Sequence, residues 1–167
     1  MKNRTASKKM VMGIIALIAW TALALQFYLI LQSTGETGYS NLKTISNFFS
    51  YFTILSNLLV AVCLSSALLS PGSGLGSFFS KVPVQSAIAV YIFIAGLVYN
   101  LVLRGLFTLT GLIWVVDNFL HVVVPLLYVI YWLVFTPKRI LQWKSILPWL
   151  IFPIFYLVYS LVGGPCY

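Results

Sequence analysis

The sequence has very few charged residues. Only 7% of its 167 residues are Asp, Glu, Lys or Arg, whereas an ordinary globular domain carries roughly 25%. Hydrophobic residues make up 61% of the chain and aromatic residues 16%, so too few polar side chains remain to cover a water-exposed surface. The composition therefore excludes a soluble domain and predicts a membrane protein.

Side chains that bind metals or act in pairs are also scarce. His121 is the only histidine, which excludes a bis-histidine haem site and a histidine-rich zinc site. Cys63 and Cys166 give neither a disulfide framework nor the spacing of metal ligands. The two acids, Glu36 and Asp117, fall in a loop and in an apolar segment, so they form no carboxylate pair. No cofactor and no metal are predicted, and the Gly-x-Ser-x-Gly motif of serine hydrolases is absent.

Long apolar runs dominate what is present. Each is close to the ~20 residues that cross ~30 Å of hydrocarbon as a helix. The first run is too long for the core of a cleavable signal peptide and is interpreted as a retained helix. We therefore predict an all-α, multi-pass transmembrane bundle, a single domain over residues 1–167 with five spans at about 10–31, 48–69, 84–103, 113–135 and 146–162.

The basic residues indicate the orientation of the spans. They lie at the ends of the apolar runs and give the chain a formal charge of +8, but they form no basic face of the kind that binds nucleic acid, so no nucleic-acid partner is predicted. Only Lys43 and Arg104 fall on one side of the predicted topology, and the other eight fall on the opposite side. The excess of Lys and Arg in cytoplasmic loops places the N-terminus in the cytoplasm.

Polar residues of four spans fall at a common depth. At a helical rise of about 1.5 Å per residue, Thr53 lies about 8 Å and His121 about 12 Å below the outer edge of the membrane. The same layer contains further polar side chains, whereas the inner halves of the spans contain fewer. The sequence therefore predicts a buried polar pocket in the outer leaflet, formed by Gln26, Asn47, Ser50, Thr53, Asn57, Asn100, Arg104, Asp117, Asn118 and His121.

Two patterns within this layer suggest chemistry. Ser50, Thr53 and Asn57 recur at steps of three and four and share one helix face, although small polar residues also serve simple helix packing. Asp117 and His121 are four residues apart, so the carboxylate can fix one imidazole tautomer and leave the other nitrogen as a base. The alternative is that Asp117 neutralises Arg104, with His121 bonding a neighbouring helix.

A hydroxyl, an imidazole, a carboxylate and amides are suited to acyl transfer or ester hydrolysis. Thr53 is the candidate nucleophile and His121 the candidate base, with Asn57 or a tyrosine hydroxyl at the oxyanion. Asp117 and Asn118 are candidate supporting residues. The tyrosines of the spans, Tyr99 among them, are interpreted as interfacial anchors or pocket walls, and Pro125 is expected to bend the helix beside the site.

Two segments resemble a known family of membrane proteins. Residues 48–57 (FFSYFTILSN) and residues 117–125 (DNFLHVVVP) are similar to segments of the androgen-induced-gene and androgen-dependent-TFPI-regulating proteins, and more so to their bacterial six-helix relatives. The resemblance implies an intramembrane threonine hydrolase of fatty acid esters of hydroxy fatty acids, in which Thr53 and His121 take the places of the Thr and His that the family uses. It also implies a bacterial inner membrane and one helix beyond the five in this sequence.

Two other functions remain open. A non-catalytic protein that binds a lipid or small molecule, or a subunit of a larger complex, would use Arg104 as its anionic contact. A proton-coupled transporter would use Asp117 and His121, but the sequence has no repeated pair of broken helices. For the leading hypothesis, the hydrolase, the predicted partners are the lipid bilayer and a membrane lipid or acyl-ester substrate.

Overall fold

The computed structural model of the protein describes residues 2–37, 48–49, 51–106 and 108–163, and the side chains of residues 3–32, 48–49, 51–106 and 108–161. This part of the chain is entirely helical outside its turns. As predicted, five helices are long and apolar enough to cross a membrane, so the chain is a multi-pass integral membrane protein. These helices are the first to fifth spans: Asn3–Gln32, Phe52–Leu69, Val82–Leu106, Gly111–Phe135 and Trp143–Leu161.

The spans are built from several helical elements. Short π-helical and 3-10 segments follow α4 and separate α5 from α6, so the third and fourth spans are not regular α-helices throughout. The α-helices in chain order are α1 (Lys2–Thr37), α2 (Phe52–Leu69), α3 (Gly74–Phe79), α4 (Val82–Val98), α5 (Gly111–Asn118), α6 (Val124–Phe135), α7 (Ile146–Trp149) and α8 (Ile151–Gly163).

Two helix boundaries differ from the predicted ones for local reasons. The first helix begins at Lys2, well before the apolar run, because the basic N-terminal segment is free of proline and contains good helix formers. The second span begins at Phe52 and not at residue 48, since Tyr51 has extended backbone angles (φ −85°, ψ 121°). Thr53 is therefore in the first turn of its helix.

The connection between the second and third spans contains the short helix α3, although its sequence is rich in glycine and serine, a composition typical of flexible turns. Its first turn is capped by Ser73, whose hydroxyl accepts a hydrogen bond from the Gly76 N–H at 3.0 Å, a standard N-cap interaction. Gly76 packs directly on the preceding chain, because a Cβ atom there would lie 1.9 Å from the Ser70 carbonyl oxygen. The glycine therefore permits a tight turn that folds α3 back onto the bundle.

The core lies between the first four spans. Ala19, Val60, Ile92 and Val124 contribute fully buried side chains, one from each span. The fifth span is different, because none of its described residues is buried. It rests on the bundle mainly through aromatic contacts such as Phe52 against Tyr156, with ring centroids 5.0 Å apart.

Candidate active site

A cavity of about 260 Å³ lies at one end of the bundle, between the first four spans. It contains Thr53 and His121, which are 68 positions apart in the chain. Gln26 of the first span also faces it, together with Asp117 of the fourth. The lining residues are Gln26, Ile30, Tyr51, Thr53, Ile54, Tyr99, Leu103, Asp117, Leu120 and His121.

His121 is paired with Asp117 in the wall of this cavity. The imidazole Nδ1 lies 3.0 Å from the Asp117 carboxylate oxygen and 3.0 Å from the Asp117 carbonyl oxygen. Both neighbours are acceptors, so Nδ1 is assigned the proton and Nε2 is left as the basic nitrogen. The His121 side chain is 14% exposed and the Asp117 side chain 13% exposed, so both are mostly buried but remain accessible from the cavity.

Arg104 does not pair with Asp117. Its guanidinium donates to the side-chain oxygens of Asn100 at 2.6 Å and of Asn118 at 2.5 Å. The Asn118 amide in turn donates to the Trp114 carbonyl at 2.7 Å. Asn118 thus holds Arg104 and has no direct role at the imidazole, and neither residue is among those lining the cavity.

Two π-helical turns lie at the site. One runs over Tyr99–Leu103 in the third span and the other over Phe119–Val123 in the fourth. The Tyr99 ring stacks on the His121 ring with centroids 3.5 Å apart and planes 17° from parallel. Since π-helical turns inside α-helices are rare and frequently mark functional positions, their occurrence on both sides of this stacked pair sets the site apart from the rest of the bundle.

The π-helical turn and Pro125 together release two backbone carbonyls of the fourth span. The Val124 N–H bonds to the Phe119 carbonyl, five residues back, so the Leu120 carbonyl loses its usual donor. Proline has no N–H, so Pro125 cannot donate to the His121 carbonyl four residues earlier. Both carbonyls then need partners from elsewhere, because an unpaired polar group in an apolar interior is costly.

Two asparagines supply these partners. The Asn57 amide donates to the Leu120 carbonyl at 3.1 Å and to its own helix at Thr53 O at 2.8 Å. The Asn100 amide donates to the His121 carbonyl at 3.0 Å. Each interaction ties a neighbouring span to the fourth span within one residue of the imidazole, so the amides fix the position of His121 relative to the second and third spans.

The third and fourth spans also approach closely at this point. A Cβ atom on Gly96 would lie 2.9 Å from the His121 carbonyl oxygen and 3.2 Å from the Pro125 ring. Glycine is therefore required for the contact that brings the two π-helical turns together.

Asn57 has no amide hydrogen left for an oxyanion. An asparagine amide carries two hydrogens, and both are used in the bonds to Thr53 and Leu120. The side chain is fully buried, and its carbonyl oxygen has no hydrogen-bond partner within the described chain. Asn57 is thus a structural link, and the residues with hydroxyl groups that line the cavity are Thr53, Tyr51 and Tyr99.

Thr53 lines the cavity, and its hydroxyl has no hydrogen-bond partner among the described residues, whereas its carbonyl accepts from Asn57. Asn47 and Ser50, the other second-span candidates, lie outside the described residues.

Three features of the site were missed by sequence reasoning: the two π-helical turns and the stacking of Tyr99 on His121. Pro125, four residues after His121, was the signal for irregular backbone at this position.

The fold and the cavity define a class of protein, a multi-pass helical membrane protein in which a His–Asp pair and a threonine line one cavity. Comparison of the chain with known protein families, with curated proteins and with solved structures finds no match.

Proposed function

We propose that the protein is an intramembrane lipid-ester hydrolase with Thr53 as nucleophile and His121 as general base. The observation that carries the proposal is that Thr53 and His121 line one cavity while the Asp117 carboxylate lies beside Nδ1 of the His121 ring. A nucleophile, a base and a group that orients the base are the components of covalent acyl transfer.

The reaction begins with attack on an ester carbonyl carbon. The Thr53 oxygen forms the new C–O bond as its proton passes to Nε2 of His121, and the carbonyl oxygen becomes an oxyanion. A tyrosine hydroxyl donates a hydrogen bond to this oxyanion, and Tyr51 and Tyr99 are the tyrosines that line the cavity. For Tyr99 this step requires its O–H to turn from Asp117, with which its side chain interacts. Collapse of the intermediate breaks the bond to the alcohol, which leaves with the proton from His121.

Water completes the cycle. His121 takes a proton from a water molecule, whose oxygen attacks the acyl-threonine. The ester bond to Thr53 breaks, the fatty acid is released, and the proton returns to the threonine oxygen. Threonine suits this role because its β-branch restricts χ1 and holds the hydroxyl in few orientations.

A long-chain ester fits the location of the site. The cavity of about 260 Å³ is slightly smaller than the ~300–1,000 Å³ of ordinary ligand sites, and it accommodates an ester group and the carbons beside it. The remaining acyl carbons would lie in the surrounding bilayer. The resemblance to hydrolases of fatty acid esters of hydroxy fatty acids, in which the ester is midway along an acyl chain, agrees with this substrate class.

The competing function is lipid binding without catalysis, with Arg104 as the anionic contact. Two observations argue against lipid binding by Arg104. Its two terminal guanidinium nitrogens donate hydrogen bonds to the side-chain oxygens of Asn100 and Asn118, and Arg104 is not among the cavity-lining residues. Under that function, Arg104→Ala would weaken ligand retention more than Thr53→Ala.

A fluorophosphonate probe tests the proposal. Attack by Thr53 on phosphorus would form an O–P bond and expel fluoride, so mass spectrometry of the digested protein should locate the adduct on Thr53. We expect Thr53→Ala to abolish labelling and Thr108→Ala, which changes an exposed threonine outside the cavity, to leave it intact. Full labelling of Thr53→Ala, or an unlabelled wild-type protein, would contradict the assignment.

A further inference from the structure

A second, larger cavity lies at the opposite end of the bundle. It is an open groove of about 750 Å³ between the third span, the fifth span and the short helix α3. Its walls are mostly aliphatic and aromatic, formed on two sides by Val84, Ala87, Ile88, Trp149, Phe152 and Phe155. Because both walls belong to membrane spans, the groove faces acyl chains and not water.

The groove has a cationic end. Lys144 lines it, and the Lys81 ammonium lies 5.9 Å from the ring centroid of Phe78, another lining residue. Lys144 forms no ion pair within the part of the chain that the structure describes. The sequence contains only two acids, and one of them, Asp117, is paired with His121 at the other end of the bundle. The cations at the groove therefore have no internal counterion among the described side chains.

A polar group lies deeper in the same groove. The Trp149 indole N–H is buried in the wall without a hydrogen-bond partner in the described chain. Trp149 follows Lys144 by five residues, about 8 Å further along a helix. From one end inward, the groove thus has a cation and an apolar wall, and a buried hydrogen-bond donor lies within that wall.

We propose that this groove binds a membrane phospholipid with an anionic headgroup. The phosphate contacts Lys144, with Lys81 nearby, and one acyl chain lies between the third and fifth spans. A glycerophospholipid carries its ester carbonyls between phosphate and acyl chain, at the level where Trp149 lines the groove. The unpartnered indole N–H would donate to one of them if the ring turned towards the groove. Basic pockets between transmembrane helices recognise anionic headgroups in this way. The acyl chain would cover the apolar side chains of the groove that the fifth span, which has no buried residue among those described, leaves exposed.

Native mass spectrometry of the detergent-purified protein tests this. Vesicles of phosphatidylglycerol and of phosphatidylcholine with identical acyl chains are added in separate experiments, and lipid adducts are counted. We expect the wild-type protein to retain phosphatidylglycerol preferentially. Lys144→Gln should reduce that retention about fivefold, the effect of one cation near a headgroup, and Val84→Trp, which fills the groove, should remove it.

Arg139→Gln is the matched control, because it removes an exposed cation of the same connection that is not among the groove-lining residues; it should leave retention unchanged. Thr53→Ala should also retain the lipid, which separates this site from the proposed catalytic one. Equal retention of the two lipids, equal effects of Lys144→Gln and Arg139→Gln, or a lipid-free dimer would overturn the proposal.

Discussion

Replacing Thr53 with alanine is expected to abolish ester hydrolysis. The substitution removes the hydroxyl that would form the acyl-enzyme, and loss of the nucleophile from a catalytic unit lowers turnover by at least about 10⁴-fold in comparable enzymes. The measurement is release of fatty acid from an ester of a hydroxy fatty acid, with purified protein in proteoliposomes.

Two variants make the Thr53 experiment specific. Thr53→Ser keeps a hydroxyl with more rotational freedom, so it should retain measurable turnover. Thr108→Ala makes the same chemical change outside the cavity and should behave as the wild-type protein. If Thr53→Ala kept most of the activity while remaining folded, the nucleophile would be a different group.

Asp117→Asn is expected to lower turnover by about 10⁴-fold, comparable to the loss when the carboxylate of a catalytic triad becomes an amide. The carboxylate oxygen lies 3.0 Å from His121 Nδ1 and accepts a hydrogen bond from the Nδ1–H group. An amide nitrogen at that position would favour the opposite tautomer, which places the proton on Nε2 and removes the base. The same fatty acid release assay measures the effect.

Glu36→Gln is the control for Asp117→Asn, because it removes the only other acid of the sequence and changes the net charge equally. It should leave turnover unchanged. A loss of threefold or less in Asp117→Asn would contradict the orienting role of the carboxylate.

The five spans and their common polar layer were predictable because each depends on a property of a single helix. A run of about 20 apolar residues is sufficient to identify a span, and a constant rise gives the depth of each side chain. Gln26, Thr53 and His121 were expected at one level on these grounds, and the structure places all three in one cavity.

The detailed arrangement at His121 was not predictable, because it depends on how helices rotate against each other. A π-helical turn adds one residue and so turns the following side chains by about 100°. This rotation of the fourth span decides which donors its free carbonyls meet. In the structure, Leu120 O accepts from Asn57 and His121 O accepts from Asn100. Asn57 was therefore assigned to the oxyanion from its position alone, whereas one of its amide hydrogens bonds to Thr53 O of its own helix and the other to Leu120 O of the fourth span.

The short helix α3 was missed for a related reason. Its sequence is rich in glycine and serine, which is typical of a flexible turn. The deciding interactions are the Ser73 cap and the close contact of Gly76 with the Ser70 carbonyl, and the second depends on the path of the folded chain.

A double-mutant cycle on turnover tests the central claim most directly, namely that Thr53 and His121 act together at one reacting atom. Rates of fatty acid release are measured for Thr53→Ala, His121→Gln and the protein carrying both changes. Residues of one catalytic unit are strongly non-additive, so the double variant should be no slower than the slower single variant. Losses that multiply would mean that the two side chains contribute independently, and the proposed mechanism would be wrong.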